Sequence, residues 1–154
     1  MNLRAYEPED LDALYALDVA CFAPTFRFSR SAMRRFAQAA NARVVVAEVA
    51  AEIVGFCILH VERDGAERMG YIVTLDIDPG HRREGIAQAL MVDVERQACE
   101  AGCAALALHV YRRNEAAMAF YAAIGFGRVG VEPDFYGRGL DAELWRKATH
   151  CIDR

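Results

Sequence analysis

The run LDIDPGHRREGIAQAL, Leu75 to Leu90, constrains the fold more than any other stretch. An apolar strand pattern stops at Asp78-Pro79-Gly80, a turn signature, and a helical pattern begins at Gly85. This places a helix N-terminus at the end of a strand. Such a terminus offers about four unpaired N–H groups and the positive end of the helix dipole. Gly85 can take a positive φ, and the small side chains of Gly85 and Ala87 let a ligand come close. Together they predict an anion cradle suited to a pyrophosphate. The run has neither the Gly-Lys-Ser/Thr of a P-loop nor a Gly-x-Gly-x-x-Gly fingerprint. On its own it reads equally well as an ordinary strand–turn–helix with a glycine near the helix start.

The flanking pattern sets the fold class. Asn2–Tyr6 reads as a short strand, and Pro8-Glu9-Asp10 opens a helix with the stripe Leu11, Leu14, Leu17, Cys21. Ser29 suits the N-cap of a second helix reaching about Ala40. Val44–Val61 is long enough to span a bilayer, but Glu48 and Glu52 lie inside it. It reads better as a hairpin, Arg43–Val49 and Ile53–Arg63, about a turn lacking the usual Gly or Asn. Arg68–Ile77 is a strand, Gly85 to about Ala101 a helix, Ala104–Tyr111 a strand and Asn114–Ile124 a helix. Phe126–Val131 and Asp141–Ala148 are closing strands. The expectation is an α/β fold, a mixed and mostly antiparallel central sheet with helices on both faces.

Composition narrows the function classes. With 154 residues, 55% of them hydrophobic, the chain suits one domain over 1–154 with a full core. A net charge of −4 without a basic stripe argues against a nucleic-acid binder. No signal pattern opens the chain, and no membrane partner is expected. The five cysteines form no Cys-x-x-Cys pair, so reduced thiols in a cytoplasm are expected, with neither disulfide nor metal site; Cys99 and Cys103, one helical turn apart, read as packing.

A second motif, NEAAMAFYAAIGF from Asn114 to Phe126, puts Asn114 and Tyr121 two helical turns apart, near one face. Taken with Arg82, Gly85 and Ala87, the run Asn114, Ala117, Phe120, Tyr121, Gly125, Phe126 resembles the GCN5-related N-acetyltransferase (GNAT) superfamily. Within it the chain is most similar to the ribosomal-protein and N-terminal alanine acetyltransferases, through Phe28-Ser29 and Tyr136…Gly139…Asp141-Ala142.

The resemblance implies acetyl-CoA as acyl donor, an amine as acceptor, and no metal. Main-chain groups of Leu75, Asp76 and Ile77 would hold the pantetheine arm and the thioester carbonyl. The pyrophosphate would lie against Arg82, Arg83, Glu84, Gly85, Ile86, Ala87 and Gln88. Asn114 and Ala117 would border the CoA chain, and Tyr121 would protonate the departing thiolate. Tyr121 also falls on a stripe with Ala117, Phe120 and Ile124 that suits plain core packing.

His109 stands where the similar enzymes carry a glutamate base. A histidine can accept a proton near neutrality, so it reads as the base or as a polar residue on a solvated face. His60 and Glu62 are weaker candidates, and His81 reads as surface. Asp76, an acid in an apolar strand, faces the acceptor or pairs with an arginine, the ion pair being preferred. Arg112-Arg113 would meet the 3′-phosphate of CoA or stay solvated, the solvated reading being preferred. Acceptor recognition falls to two loops, one with Phe26 and Phe28, the other with Glu132, Asp134, Phe135 and Tyr136. Aromatics beside acids suit a cationic amine, though they suit local packing as well. The acceptor is expected to be a protein or peptide α-amine. The rivals are a small amine and a non-catalytic acyl-CoA-binding module, and homodimer formation is left open.

Overall fold

The computed structural model describes residues 1–151. The strands are β1 (Asn2–Ala5), β2 (Ala42–Val49), β3 (Glu52–Asp64), β4 (Glu67–Ile77), β5 (Cys103–Tyr111), β6 (Gly127–Glu132) and β7 (Ala142–Ala148). The helices are α1 (Leu11–Cys21), α2 (Arg30–Ala37), α3 (Ile86–Glu100) and α4 (Glu115–Ala123). All seven strands join one sheet in the order β1-β2-β3-β4-β5-β7-β6. Among the described residues only β4 and β5 pair in parallel, because α3 carries the chain from one to the other.

The run Val44–Ala47 is apolar throughout because both of its faces are covered. Val44 and Val46 pack with Leu14, Leu17, Met33, Phe56 and Ile58 under α1 and α2. Val45 and Ala47 pack with Cys57, Leu59, Leu90, Val94 and Leu106 under α3. The stretch long enough for a bilayer is therefore the β2–β3 hairpin, and among the described residues no helix is long and apolar enough to cross a membrane. Its turn forms at Ala50 and Ala51 with φ of +52° and +65°. Two alanines thus accept the left-handed geometry usually given to Asn-Gly.

The first helix is tied to the sheet edge by charge. Arg4 donates to both oxygens of Asp10 at 2.7 and 2.9 Å and to Glu48 at 2.6 Å. The guanidinium holds the Asp10 carboxyl below the usual range. Ser29 caps α2 by accepting from the Ala32 N–H at 3.1 Å, and α2 stops at Ala37, short of the expected Ala40.

Two cysteine expectations are corrected. Cys99 and Cys151 form a disulfide that ties the segment after β7 to α3, across 52 residues of sequence. Spacing between neighbouring cysteines could not reveal so distant a pair. Cys103 lies beyond Gly102, whose φ of +79° ends the helix, so it opens β5 and is not a helical neighbour of Cys99.

Candidate active site

The site begins with one extra residue in β4. Ile58 faces Thr74 across the β3–β4 ladder and Leu59 faces Ile72, so Val73 is bulged out. The bulge changes which residues face which core. Ile72, Leu75 and Ile77 pack on the α3 side, while Val73 packs on the α1 side. It also bends the strand away from β5. The parallel ladder runs from Arg68/Cys103 to Ile72/Leu108 and stops there. Beyond it, Val73–Ile77 and His109–Tyr111 diverge, leaving a slot with a bare main-chain edge on β4. An extended chain with amide groups can complete such an edge as a strand would. Leu75, Asp76 and Ile77 line it, and Cys21 Sγ engages the Ile77 carbonyl at 3.1 Å.

At the open end of the slot lies the cradle. Asp78 Oδ1 accepts from the Gly80 N–H at 2.9 Å and turns the chain. Arg83 and Gly85 then take φ of +64° and +80°, which wraps the main chain ahead of α3. A Cβ at Gly85 would meet nothing within 4 Å, so the glycine is required by its φ and opens onto free space. Arg82, Arg83 and Glu84 are exposed, and Glu84 Oε1 pairs with His81 Nδ1 at 3.1 Å. Ile86 turns into the core, so its main chain alone borders the cradle with the exposed Gln88 and half-buried Ala87 nearby. The donor set fits an anionic diphosphate linker.

The other wall carries titratable groups. His109 Nε2 lies 3.0 Å from Glu132 Oε1, and His109 Nδ1 lies 2.7 Å from Tyr71 Oη. A carboxylate only accepts, so in the neutral ring Nε2 carries the hydrogen and Nδ1 accepts from the tyrosine. Phe135 stacks on the imidazole at 4.0 Å. Burial pushes the Tyr71 phenol well above its ordinary value, which keeps it protonated. His60 is excluded from this group, because its Nε2 meets the Phe36 carbonyl at 2.8 Å.

Tyr121 projects from α4 and is 9% exposed, packed edge-on against Phe120 and Phe126. Burial, with Cys57 and Asp76 nearby, raises its phenol far above the usual value, so it stays protonated. Asn114 Oδ1 accepts from the Ala117 N–H at 3.1 Å and caps α4, fixing the helix that aims Tyr121.

The acceptor loops meet through aromatics. Phe26 lies 4.8 Å from Tyr111 and 5.2 Å from Tyr136, and Tyr136 lies 4.9 Å from Phe135. Burial pushes the Tyr136 phenol up to about 12. Two expected members sit elsewhere. Phe28 packs 5.0 Å from Phe36 beside the α1–α2 core, and Asp134 spends its Oδ1 on the Gly139 N–H at 2.7 Å, closing its own loop. Asp76 is corrected too. It meets no arginine but Thr74 Oγ1 and the carboxyl of Asp18 on α1. Of the two arginines after β5, Arg112 Nε lies 3.8 Å from Glu143. Sequence reasoning did not single out Tyr71, Tyr111 or Asp18, and Glu132, expected among the acceptor contacts, has His109 as its hydrogen-bond partner. A tyrosine in an alternating strand carries no sign of the histidine it will meet.

The Acetyltransferase (GNAT) family matches residues 11–126. The chain is 27% identical over 154 residues to N-alpha-acetyltransferase daf-31 of Caenorhabditis elegans, covering 96% of this chain and 82% of that protein. It also matches the uncharacterized protein ML0378 of Mycobacterium leprae, 33% identical over 91 residues, covering 54% of this chain and only 24% of that longer protein. Among solved structures, the ribosomal-protein-S18-alanine N-acetyltransferase of Escherichia coli superposes with a TM-score of 0.85 at 22% identity, covering 99% and 96% of the two chains. Arabidopsis thaliana NAA60 in complex with acetyl-CoA gives 0.82 at 21%, covering 96% and 97%. The matched residues include the Gly85 cradle, the β4 edge and Tyr121, and the chain belongs to the acetyltransferase (GNAT) family.

Proposed function

We propose that this chain, acting as one domain, transfers the acetyl group of acetyl-CoA to the α-amine of a protein or peptide. The observation that carries the reading is the bare β4 edge, with the glycine cradle at one end and the Tyr71–His109 pair across the slot. The names of two relatives, an N-alpha-acetyltransferase and a ribosomal-protein-alanine acetyltransferase, support the acceptor class.

Leu75, Asp76 and Ile77 hold the pantetheine arm through main-chain groups, and the N–H groups of residues 83–88 take the diphosphate. When bound, the thioester supplies an acyl carbon that a neutral amine can attack. Tyr71 takes a proton from the attacking amine while passing its own to His109 Nδ1. The imidazolium that forms is stabilised by Glu132. His109 is thus the terminal base, reached through Tyr71, and not a direct partner of the amine. A C–N bond forms, the C–S bond breaks, and Tyr121 gives its proton to the leaving sulfur and regains one from solvent. Phe26, Tyr111 and Tyr136 form the mouth through which the acceptor enters.

An acceptor of this class places the protein in the cytoplasm. There the Cys99–Cys151 bond faces reducing conditions. The test is thiol release from acetyl-CoA against a panel of N-terminal peptides and small amines. Release with peptides alone is expected. Release with polyamines, amino acids or aminoglycosides alone moves the acceptor to a small amine. Binding of coenzyme A without release leaves a non-catalytic module.

A further inference from the structure

Asp18 and Asp76 are both fully buried, on α1 and on the divergent end of β4. Their carboxyl groups lie within hydrogen-bonding reach of each other. Each has one oxygen engaged. Asp18 Oδ2 accepts the Phe28 N–H at 2.8 Å, and Asp76 Oδ1 accepts the Thr74 hydroxyl. The other two oxygens, Asp18 Oδ1 and Asp76 Oδ2, have no partner. Two buried carboxylates side by side cannot both stay charged, and two orphaned acceptors need one donor between them. A single proton satisfies both.

We propose that Asp18 and Asp76 share one proton, and that this acid–carboxylate pair is the positioning device that fastens the acceptor loop to the strand holding the thioester. From Asp18 the tie runs through the Phe28 N–H to the loop after α1; from Asp76 it enters β4 beside Leu75 and Ile77. Cys21, also on α1, adds a second tie through the Ile77 carbonyl. The groups facing the pair are Cys21 on α1, Arg27 in the loop, Cys57 on β3, Thr74 on β4 and Tyr121 on α4. Arg82 faces Cys21 from the cradle. Of these Arg27 alone is a cation facing the pair itself, and it favours the charge on Asp18; burial dominates and raises both carboxyls, Asp76 the more. Raised together by burial, the two carboxyls hold one proton between them.

The positioning role rests on the proposed reading of residues 22–28 as the acceptor loop, whereas the shared proton and the hold on Phe28 do not. Carbon-13 NMR of labelled aspartate carboxyls in the full chain at neutral pH should show one protonated carboxyl, absent in Asp18→Asn. In that variant the asparagine amide donates to Asp76, its carbonyl keeps the Phe28 N–H, and Asp76 ionises. Amide exchange at Phe28 should stay slow in Asp18→Asn and rise about tenfold or more in Asp18→Ala, which loses a charge-assisted hydrogen bond. With any amine that proves active, Asp18→Ala should raise the acceptor KM about tenfold with little change in the acetyl-CoA KM, and Asp18→Asn should restore it. Should Asp18→Ala not fold, raising pH on the parent replaces it. Phe28 exchange should then outrun the base-catalysed rate, and Asp18→Asn should not show this. Two ionised carboxylates at neutral pH, or Phe28 exchange indifferent to Asp18→Ala and to high pH alike, would overturn the proposal. A chain inactive on every amine would sink the acceptor reading, and the two NMR readouts would still decide the proton and the tie.

Discussion

The two halves of the β4–β5 pair differ in purpose. The half from Arg68/Cys103 to Ile72/Leu108 is laddered. There Gly70 is pressed so closely by Leu59 and Leu106 that a Cβ would stand 2.8 Å from each. The half beyond Ile72 is unladdered and polar, carrying Thr74, Asp76, His109 and Tyr111. One residue, Val73, separates them. The closed half holds the two strands together and brings Tyr71 to His109 across its end, the broken half leaves the main-chain edge of β4 bare, and the same bulge that opens the slot turns Asp76 toward α1.

The contrast can be broken from either side. The largest effect is expected from Gly85→Val at the mouth of the divergent half. A β-branched residue at φ of +80° forces the cradle to refold, and acetyl-CoA affinity measured by calorimetry should fall by roughly a hundredfold or more. Tyr121→Phe should lower kcat by about 10²–10³ while the acetyl-CoA Kd stays within a few-fold, the magnitude usual for a lost general acid. Unchanged kcat would reduce Tyr121 to core packing. His109→Ala should lower kcat about tenfold to a hundredfold, because the relay from Tyr71 then ends without an acceptor. Tyr71→Phe should reproduce the loss of rate, since the relay is cut ahead of the ring. A kcat matching the parent in either variant would return the proton to water.

The closed half should respond in the opposite way. Gly70→Ala should cost about 1–3 kcal/mol in denaturant unfolding through overpacking against Leu59 and Leu106, yet leave the coenzyme A Kd unchanged. The smallest effect concerns pH. Arg4 lowers the folded value of Asp10, so that pair stabilises the chain above the ordinary carboxylate range, and its contribution is lost as pH falls through the lowered value. Asp18 and Asp76 are raised, so stability declines as pH climbs from the ordinary carboxylate value toward theirs. Thermal melts should therefore show a dome. Asp18→Asn should flatten its alkaline side and leave its acidic side in place.

Residues whose role is local were legible in the sequence. Gly85 declares its positive φ, Ser29 its cap, and Pro79-Gly80 the turn, because each acts within a few residues of itself. Two β-branched runs with Glu48 and Glu52 between them disclosed the hairpin, although two alanines gave no sign of their left-handed turn. What stayed hidden depends on register. Tyr71 meets His109 only because β4 and β5 pair in parallel up to Ile72, and Asp76 meets Asp18 only because Val73 is bulged. Cys99 finds Cys151 only once β7 has brought the chain end to α3. Neither a bulge nor an offset between strands leaves a mark in composition or spacing.

Isothermal titration of acetyl-CoA into the parent chain, Gly85→Val and Gly70→Ala tests the central claim most directly. One molecule should bind per chain in the parent and in Gly70→Ala, with the heat lost in Gly85→Val. No heat with the parent, or a Gly85→Val isotherm that overlays it, would mean that the slot and its cradle are not where coenzyme A binds.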